Sequence, residues 1–176
     1  MRPGRRALPG LLLAAALCSA PPLVAAPADT ALAREVTAEV NGALARLERS
    51  AFTAQLGGVA YKSQVRAWRD ATGVRKVEVT DADDSGSVVT EYYFRGTDLV
   101  FAYVAIKGWK GEREVTRVER RQYFRGGALQ LWLDGMDKVP RGADDPEYRD
   151  EARRRLEAAQ FYREAAGLAF RKGKTP

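Results

Sequence analysis

Apolar residues recur at helical spacing near both ends of this chain and alternate with polar ones through its middle. Leu32, Val36, Val40, Ala43 and Leu47 follow at steps of four, four, three and four, which lays one apolar stripe along a helix over 30–50. Asp29 or Thr30 suits the cap of that helix, Glu35 and Glu39 lie off its stripe, and Gly57-Gly58 breaks the chain after it. From about Tyr61 to Asp134 the signal changes: Val, Tyr, Phe and Thr become common and turn residues recur at short intervals. Six strands are predicted, roughly over 60–69, 74–80, 87–95, 98–106, 113–124 and 128–134. Turn chemistry separates them at Asp70–Gly73, Asp81–Gly86, Arg95–Asp98, Gly108–Gly111 and Arg125–Gly127. Connections this short imply an antiparallel meander.

A second helix is predicted over 145–167. Asp145 caps it, Pro146 fits its first position and Glu147 its first turn. Tyr148, Ala152, Leu156, Ala159 and Tyr162 trace its apolar stripe, Arg153, Arg154, Arg155 and Arg163 lie among acids on its other sides, and Gly167 offers a stop. Arg171 to Pro176 is a basic tail. Two amphipathic stripes and one apolar sheet face should bury each other. The expected fold class is therefore α+β: a single domain over 29–170, an antiparallel meander of about six strands packed on one face by the N-terminal and C-terminal helices.

Within the meander lies a repeat. Tyr93-Phe94-Arg95-Gly96 followed by Leu99 matches Tyr123-Phe124-Arg125-Gly126 followed by Leu129, at an offset of 30 residues with five identical positions. Each copy reads as a hairpin whose glycine supplies the positive φ of a tight turn. The register that follows pairs Phe94 with Leu99, Tyr92 with Phe101, and Phe124 with Leu129. One face then gathers Phe94, Leu99, Phe101, Phe124, Leu129, Leu131 and Leu133 as the core. The other carries Tyr93, Tyr123, Trp132, Arg121, Gln130 and Glu91. A slip of one residue would exchange these sets.

The N-terminus changes the compartment. Arg2, Arg5 and Arg6 precede an apolar run from Leu8 to Leu17, and Ala26-Pro27-Ala28 offers a cleavage site before Asp29. Residues 1–28 thus read as a secretory signal peptide, with a run too short to span a bilayer. The expected location is periplasmic or secreted, with no transmembrane segment left after signal removal. Lipidation at Cys18 is the rival reading; Leu17 stands where the small residue before a lipidated cysteine belongs. Cys18 is the one cysteine, so the mature chain has no disulfide. The formal charge of +6 includes the three signal arginines and falls to about +3 without them, too mild to indicate nucleic acid.

Composition then excludes chemistry. The chain has no histidine, which removes histidine triads, histidine-ligated metals and histidine acid–base steps. Without a mature cysteine, thiol catalysis and cysteine-bound zinc go too. Gly173-Lys174-Thr175 lacks the first glycine of a phosphate loop, since Leu168 occupies that place. No cofactor is expected and no catalytic residue stands out. Asp81, Asp83 and Ser85, followed by Gly86, resemble half a calcium loop, but Tyr92 occupies the place of the closing glutamate. With half of the ligand set absent, an exposed acidic hairpin turn is the favoured account of them. Tyr93, Tyr123, Trp132 and Arg121 form the candidate binding patch, because aromatics and arginine dominate binding hot spots; cross-strand pairs that merely stabilise the sheet are the competing account.

At its hairpins the chain resembles a loose group of uncharacterised exported bacterial proteins, with tandem YYF..G..L hairpins between a leading helix and a charged closing helix. The resemblance implies an envelope protein and carries over no activity and no functional residue. The expected function is a non-catalytic envelope binding or interaction module whose partner is an envelope protein, a glycan or a lipid headgroup. The alternative is a carboxylate-dependent hydrolase acting on cell-envelope polymers, which would need two close acids in a cleft.

Overall fold

The computed structural model describes residues 27–173, apart from 59, 111–112, 138 and 143–144. The signal segment expected over 1–28 lies, except for its last two residues, outside the described residues. The elements in chain order are α1 (Pro27–Ala43), β1 (Glu48–Ala54), β2 (Ser63–Asp70), β3 (Gly73–Asp83), β4 (Gly86–Arg95), β5 (Asp98–Lys110), β6 (Arg113–Arg125), β7 (Ala128–Asp134), β8 (Val139–Arg141) and α2 (Pro146–Lys172). All eight strands form one antiparallel sheet in sequence order, the α+β meander with flanking helices that the pattern predicts.

Several boundaries move. The first helix stops at Ala43, where Arg46 and Leu47 N–H groups fold back on the Ala43 carbonyl. Leu47 still packs beside α1, so it belongs to the apolar stripe without belonging to the helix. The next residues switch to period two: Ser50, Phe52 and Ala54 are half-buried between exposed neighbours, and they pair with β2 as an added strand. β8 is also additional, a three-residue edge in which Pro140 is tolerated. At the C-terminus α2 runs through Gly167 to Lys172 and closes on Gly173, whose N–H bonds the Ala169 carbonyl.

The larger correction concerns faces. The helices cover opposite faces of the sheet. Tyr92 and Phe94 join the core under α2, with Val65, Val77, Leu99, Phe124, Tyr162 and Phe170. Tyr93, between them, joins Ala33, Val36 and Val40 of α1, and successive side chains of a strand point to opposite sides. The repeated hairpins explain the split. Gly96 (φ 60°) sits in one two-residue turn, and Gly126 and Gly127 (φ 55° and 75°) form the other. Phe94–Leu99 and Phe124–Leu129 pair as expected. One residue further on, each return strand holds an extra residue: Tyr93 pairs with Phe101, leaving Val100 over, and Tyr123 pairs with Leu131, leaving Gln130 over. Tyr92 consequently meets Ala102 rather than Phe101. Phe101 packs toward α1, and Trp132, opposite Gln122, is buried under α2.

The grip of α2 is partly polar. Glu151 is buried and accepts from Gln122 Nε2 (2.9 Å) and Arg155 (2.5 Å), with Arg154 at 3.3 Å. Burial pushes the Glu151 carboxyl up, but the Arg155 charge and the hydrogen bonds outweigh it and hold the group below its ordinary value. A depressed folded value means stabilisation that is present above the unfolded value and lost as pH falls through the folded one.

Two predictions follow from this packing. Phe94, 1 % exposed, should cost about 3–5 kcal/mol on replacement by alanine, read from urea unfolding; a cost under about 1 kcal/mol would contradict the assigned core. Glu151→Gln should be about 1–3 kcal/mol less stable than wild type at pH 7, since Arg155 loses its partner. That gap should narrow as pH falls below the ordinary glutamate value, about 4.3, and close as it passes through the depressed folded value. A gap independent of pH would show that Glu151 is not held ionised.

Candidate functional site

On the face that α1 shares, the register sorts side chains into rows across the sheet. The row beneath α1 is Trp68, Lys76, Tyr93, Phe101, Tyr123 and Leu131. The next row out is Arg66, Glu78, Glu91, Tyr103, Arg121 and Leu133, then Gln64, Thr80, Val89, Ala105 and Glu119, then Ala82, Ser87, Lys107 and Thr116. The outer rows, beyond the helix, floor an open basin of about 500 Å³. The period-two alternation of β3 builds part of it: Val77 and Val79 face α2, while Lys76, Glu78 and Thr80 face the other way.

The expected patch is divided by these faces. Tyr93 is 2 % exposed; its hydroxyl lies 2.6 Å from a Glu91 carboxylate oxygen and 3.1 Å from Asn41 Oδ1 of α1. Tyr123 is half-buried, its ring 5.1 Å from Phe101. Arg121 is on the same face, paired with Glu119 at 2.5 Å and lying over the Tyr103 ring. Trp132 is on the opposite face, 3 % exposed, with its ring 6.3 Å from that of Tyr148 and Arg120 and Arg141 above it. The Gln130 insertion turns Trp132 away from the other three. Of the four, Arg121 comes nearest the basin, since it lies over the ring of Tyr103, which lines it. Trp109 lies in β5 opposite Glu114 rather than in a turn, and is 49 % exposed.

Residues that the expected patch left out dominate the basin. Three carboxylates are each held between a cation and a hydroxyl. Glu91 lies 3.0 Å from Lys76 Nζ and accepts from Tyr93. Glu119 pairs with Arg121 and accepts from Tyr103 at 2.9 Å. Glu114 lies 3.2 Å from Lys107 Nζ and accepts from Ser87 at 2.7 Å. The fourth, Glu78, accepts from Arg66. Lys76 is buried and also lies over the Tyr93 and Trp68 rings, so its charge is doubly compensated.

These contacts fix protonation states. Burial pushes the Tyr103 phenol up to about 12, helped by the Glu119 carboxylate. Burial and then Glu91 raise Tyr93 in the same direction. The Ser87 hydrogen bond and Lys107 hold Glu114 below its ordinary value, which makes it a weak base toward Ser87. The basin therefore presents one protonated phenol, Tyr103, and paired charges at fixed places, an arrangement for hydrogen bonding.

The calcium-loop residues lie at the β3–β4 turn, at the end of the sheet next to the basin. Asp81, Asp83 and Ser85 line a cavity of about 340 Å³ with Lys62 and Lys107. Asp83 Oδ1 already accepts from the Ser85 N–H (2.8 Å), the Ser85 hydroxyl (2.6 Å) and the Gly86 N–H (3.1 Å). These bonds close the β3–β4 turn and hold the Asp83 carboxyl below its ordinary value. Among the described residues no three histidine, cysteine, aspartate or glutamate side chains converge for a metal. Millimolar calcium is thus expected to leave the melting temperature unchanged; a rise of several degrees that Asp83→Ala abolishes would reverse this reading. Comparison of the chain with protein-family models, with curated proteins and with solved structures finds no match.

Proposed function

We propose that this protein is an exported, non-catalytic recognition module of the cell envelope, periplasmic or secreted, and that the basin beside α1 seats its ligand. The leader pattern of residues 1–28 supports export. The observation that carries the binding reading is the trio of cation–carboxylate–hydroxyl sets around Glu91, Glu114 and Glu119. Such a surface is organised before a ligand arrives, so little side-chain ordering is left to oppose binding.

Charge balance narrows the ligand. Arg66, Lys76, Lys107 and Arg121 are each matched by a glutamate, so the basin exerts little net field. Polyanions such as nucleic acid gain nothing there. A neutral ligand rich in hydroxyls gains donors and acceptors at every step, and among envelope partners that description fits a glycan better than a charged headgroup. No helix among the described residues is long and apolar enough to cross a membrane. The hydrolase alternative draws on the facing pair Glu78 and Glu91, which oppose each other on β3 and β4. Each is already engaged by a cation, Glu78 by Arg66 and Glu91 by Lys76, and neither is free to face a sugar as cleavage requires.

Titration calorimetry with soluble envelope-glycan fragments tests the proposal. Tyr103→Ala and Arg121→Ala should each weaken binding about tenfold or more, as loss of a hot-spot contact does, with melting nearly unchanged. Binding unaffected by both substitutions, or no binding across the envelope glycans, would refute it. Release of new reducing ends that Glu91→Gln abolishes would establish the hydrolase instead.

A further inference from the structure

A second site lies on the α2 side of the sheet. Among the described residues seven arginines are half-buried: Arg69, Arg75, Arg120, Arg121, Arg141, Arg155 and Arg163. Six of them form an ion pair with a carboxylate. Arg163 is the exception and has no hydrogen bond or ion pair. A partly desolvated guanidinium without a counter-charge is costly.

Arg163 faces a cleft of about 500 Å³ between α2 and the β2–β3 and β4–β5 turns, which a smaller hollow of about 150 Å³ extends toward Gly127. Arg163 and Thr97 line both. Gly167 and Arg171 follow Arg163 at steps of four and share its side of the helix. Long helical side chains lean toward the N-terminus, and Arg171 does so: its Nη1 stands 3.8 Å from where a β-carbon on Gly167 would be. Gly167, inside a helix where glycine is unfavourable, thereby leaves the cleft wall bare of a side chain beside the Arg171 guanidinium. The charge of Arg171 also suits the carboxyl end of α2, whereas Arg163, about two turns earlier, has no such account. Two acids share the lining, Glu164 and Asp98; Glu164 accepts from Gln160 at 3.0 Å, and neither pairs with Arg163.

We propose that this cleft binds a phosphoryl group, with Arg163 as its principal anchor, Arg171 as the second cation and the Thr97 hydroxyl as a further donor. A tetrahedral oxyanion accepts from several donors at once, and guanidinium forks match its oxygens. The site is on the opposite face from the basin and does not depend on it.

Inorganic phosphate and lipid vesicles test the proposal on the wild type and Arg163→Gln. Phosphate should raise the wild-type melting temperature, and the variant should bind it about tenfold or more weakly, the loss expected for one charge-assisted contact. Without phosphate the variant should melt at or above wild type, since it loses an uncompensated charge; a purely structural arginine would lower it. Phosphatidylglycerol vesicles that retain the wild type but not Arg163→Gln, with phosphate competing, would identify a lipid headgroup. A phosphate effect without vesicle binding would identify a soluble phosphoryl compound. Arg171→Gln, at an exposed position, should weaken phosphate binding in part and keeps the test open should Arg163→Gln not fold. If neither phosphate nor vesicles bind, or both bind the variants as well as wild type, the proposal fails.

Discussion

Much of this structure depends on one extra residue in each of two return strands. Val100 and Gln130 sit in matching places after the repeated glycine turns, where two residues of one strand oppose one of its neighbour. Side chains alternate with period two along a strand, so a single insertion exchanges the faces of everything beyond it. Phe101 thereby joins Tyr93 and Tyr123 in one aromatic row, the platform on which α1 rests, and Leu131 extends that row onto β7. Ala102 and Trp132 pass to the α2 side. Without the insertions, Phe101 and Leu131 would face α2, and α1 would lose Phe101 from that platform.

The placement of charge follows from what the helices cover. α2 crosses the sheet from Trp132 and Tyr148 at one side to Arg69 and Phe170 at the other, and buries Glu151 and Gln122 as hydrogen-bonded partners on the way. α1 is shorter and rests chiefly on β4, β5 and β6, so the rows beyond it stay open. There the sheet stays exposed, and cross-strand pairs between opposite charges add modestly to its stability. The same logic guards the sheet's free edge. β7 pairs with β6 only from Arg120 onward, so the outer half of β6, Arg113–Glu119, has no neighbour on that side among the described residues. That stretch alternates charge with Val and Thr and is bulged at Arg117, features that discourage strand addition.

The meander, the hairpin turns and both helices were legible in the sequence, because glycine turns and apolar periodicity are local signals. Phe94–Leu99 and Phe124–Leu129 were correctly paired because the turn alone sets that register. The bulges were not legible: no residue type marks Val100 or Gln130, and both are compatible with regular pairing. That one omission reversed Phe101, Leu131 and Trp132, split the expected patch, and made one covered face appear sufficient. β1 was hidden because Leu47 extends the helical stripe of α1 from outside the helix. The basin was half visible. Glu91 and Arg121 were placed on the polar face, but Tyr103 comes opposite Glu91 only through the β4–β5 pairing displaced by the first bulge, and there it meets Glu119. Arg163 carried no sequence signal at all, since its distinction is the absence of a partner in space.

The most direct test of the central claim, that the two insertions sort the aromatic residues between two helices on opposite faces, is a set of nuclear Overhauser contacts from the Phe101 and Trp132 rings. The account predicts contacts from Phe101 to Tyr123 and to the valine methyls of α1, and from Trp132 to Tyr148 of α2. Contacts from Phe101 to α2, or from Trp132 to Tyr93 and Tyr123, would mean regular pairing without the extra residues. Both the α1 platform and the basin beside it would then have to be abandoned.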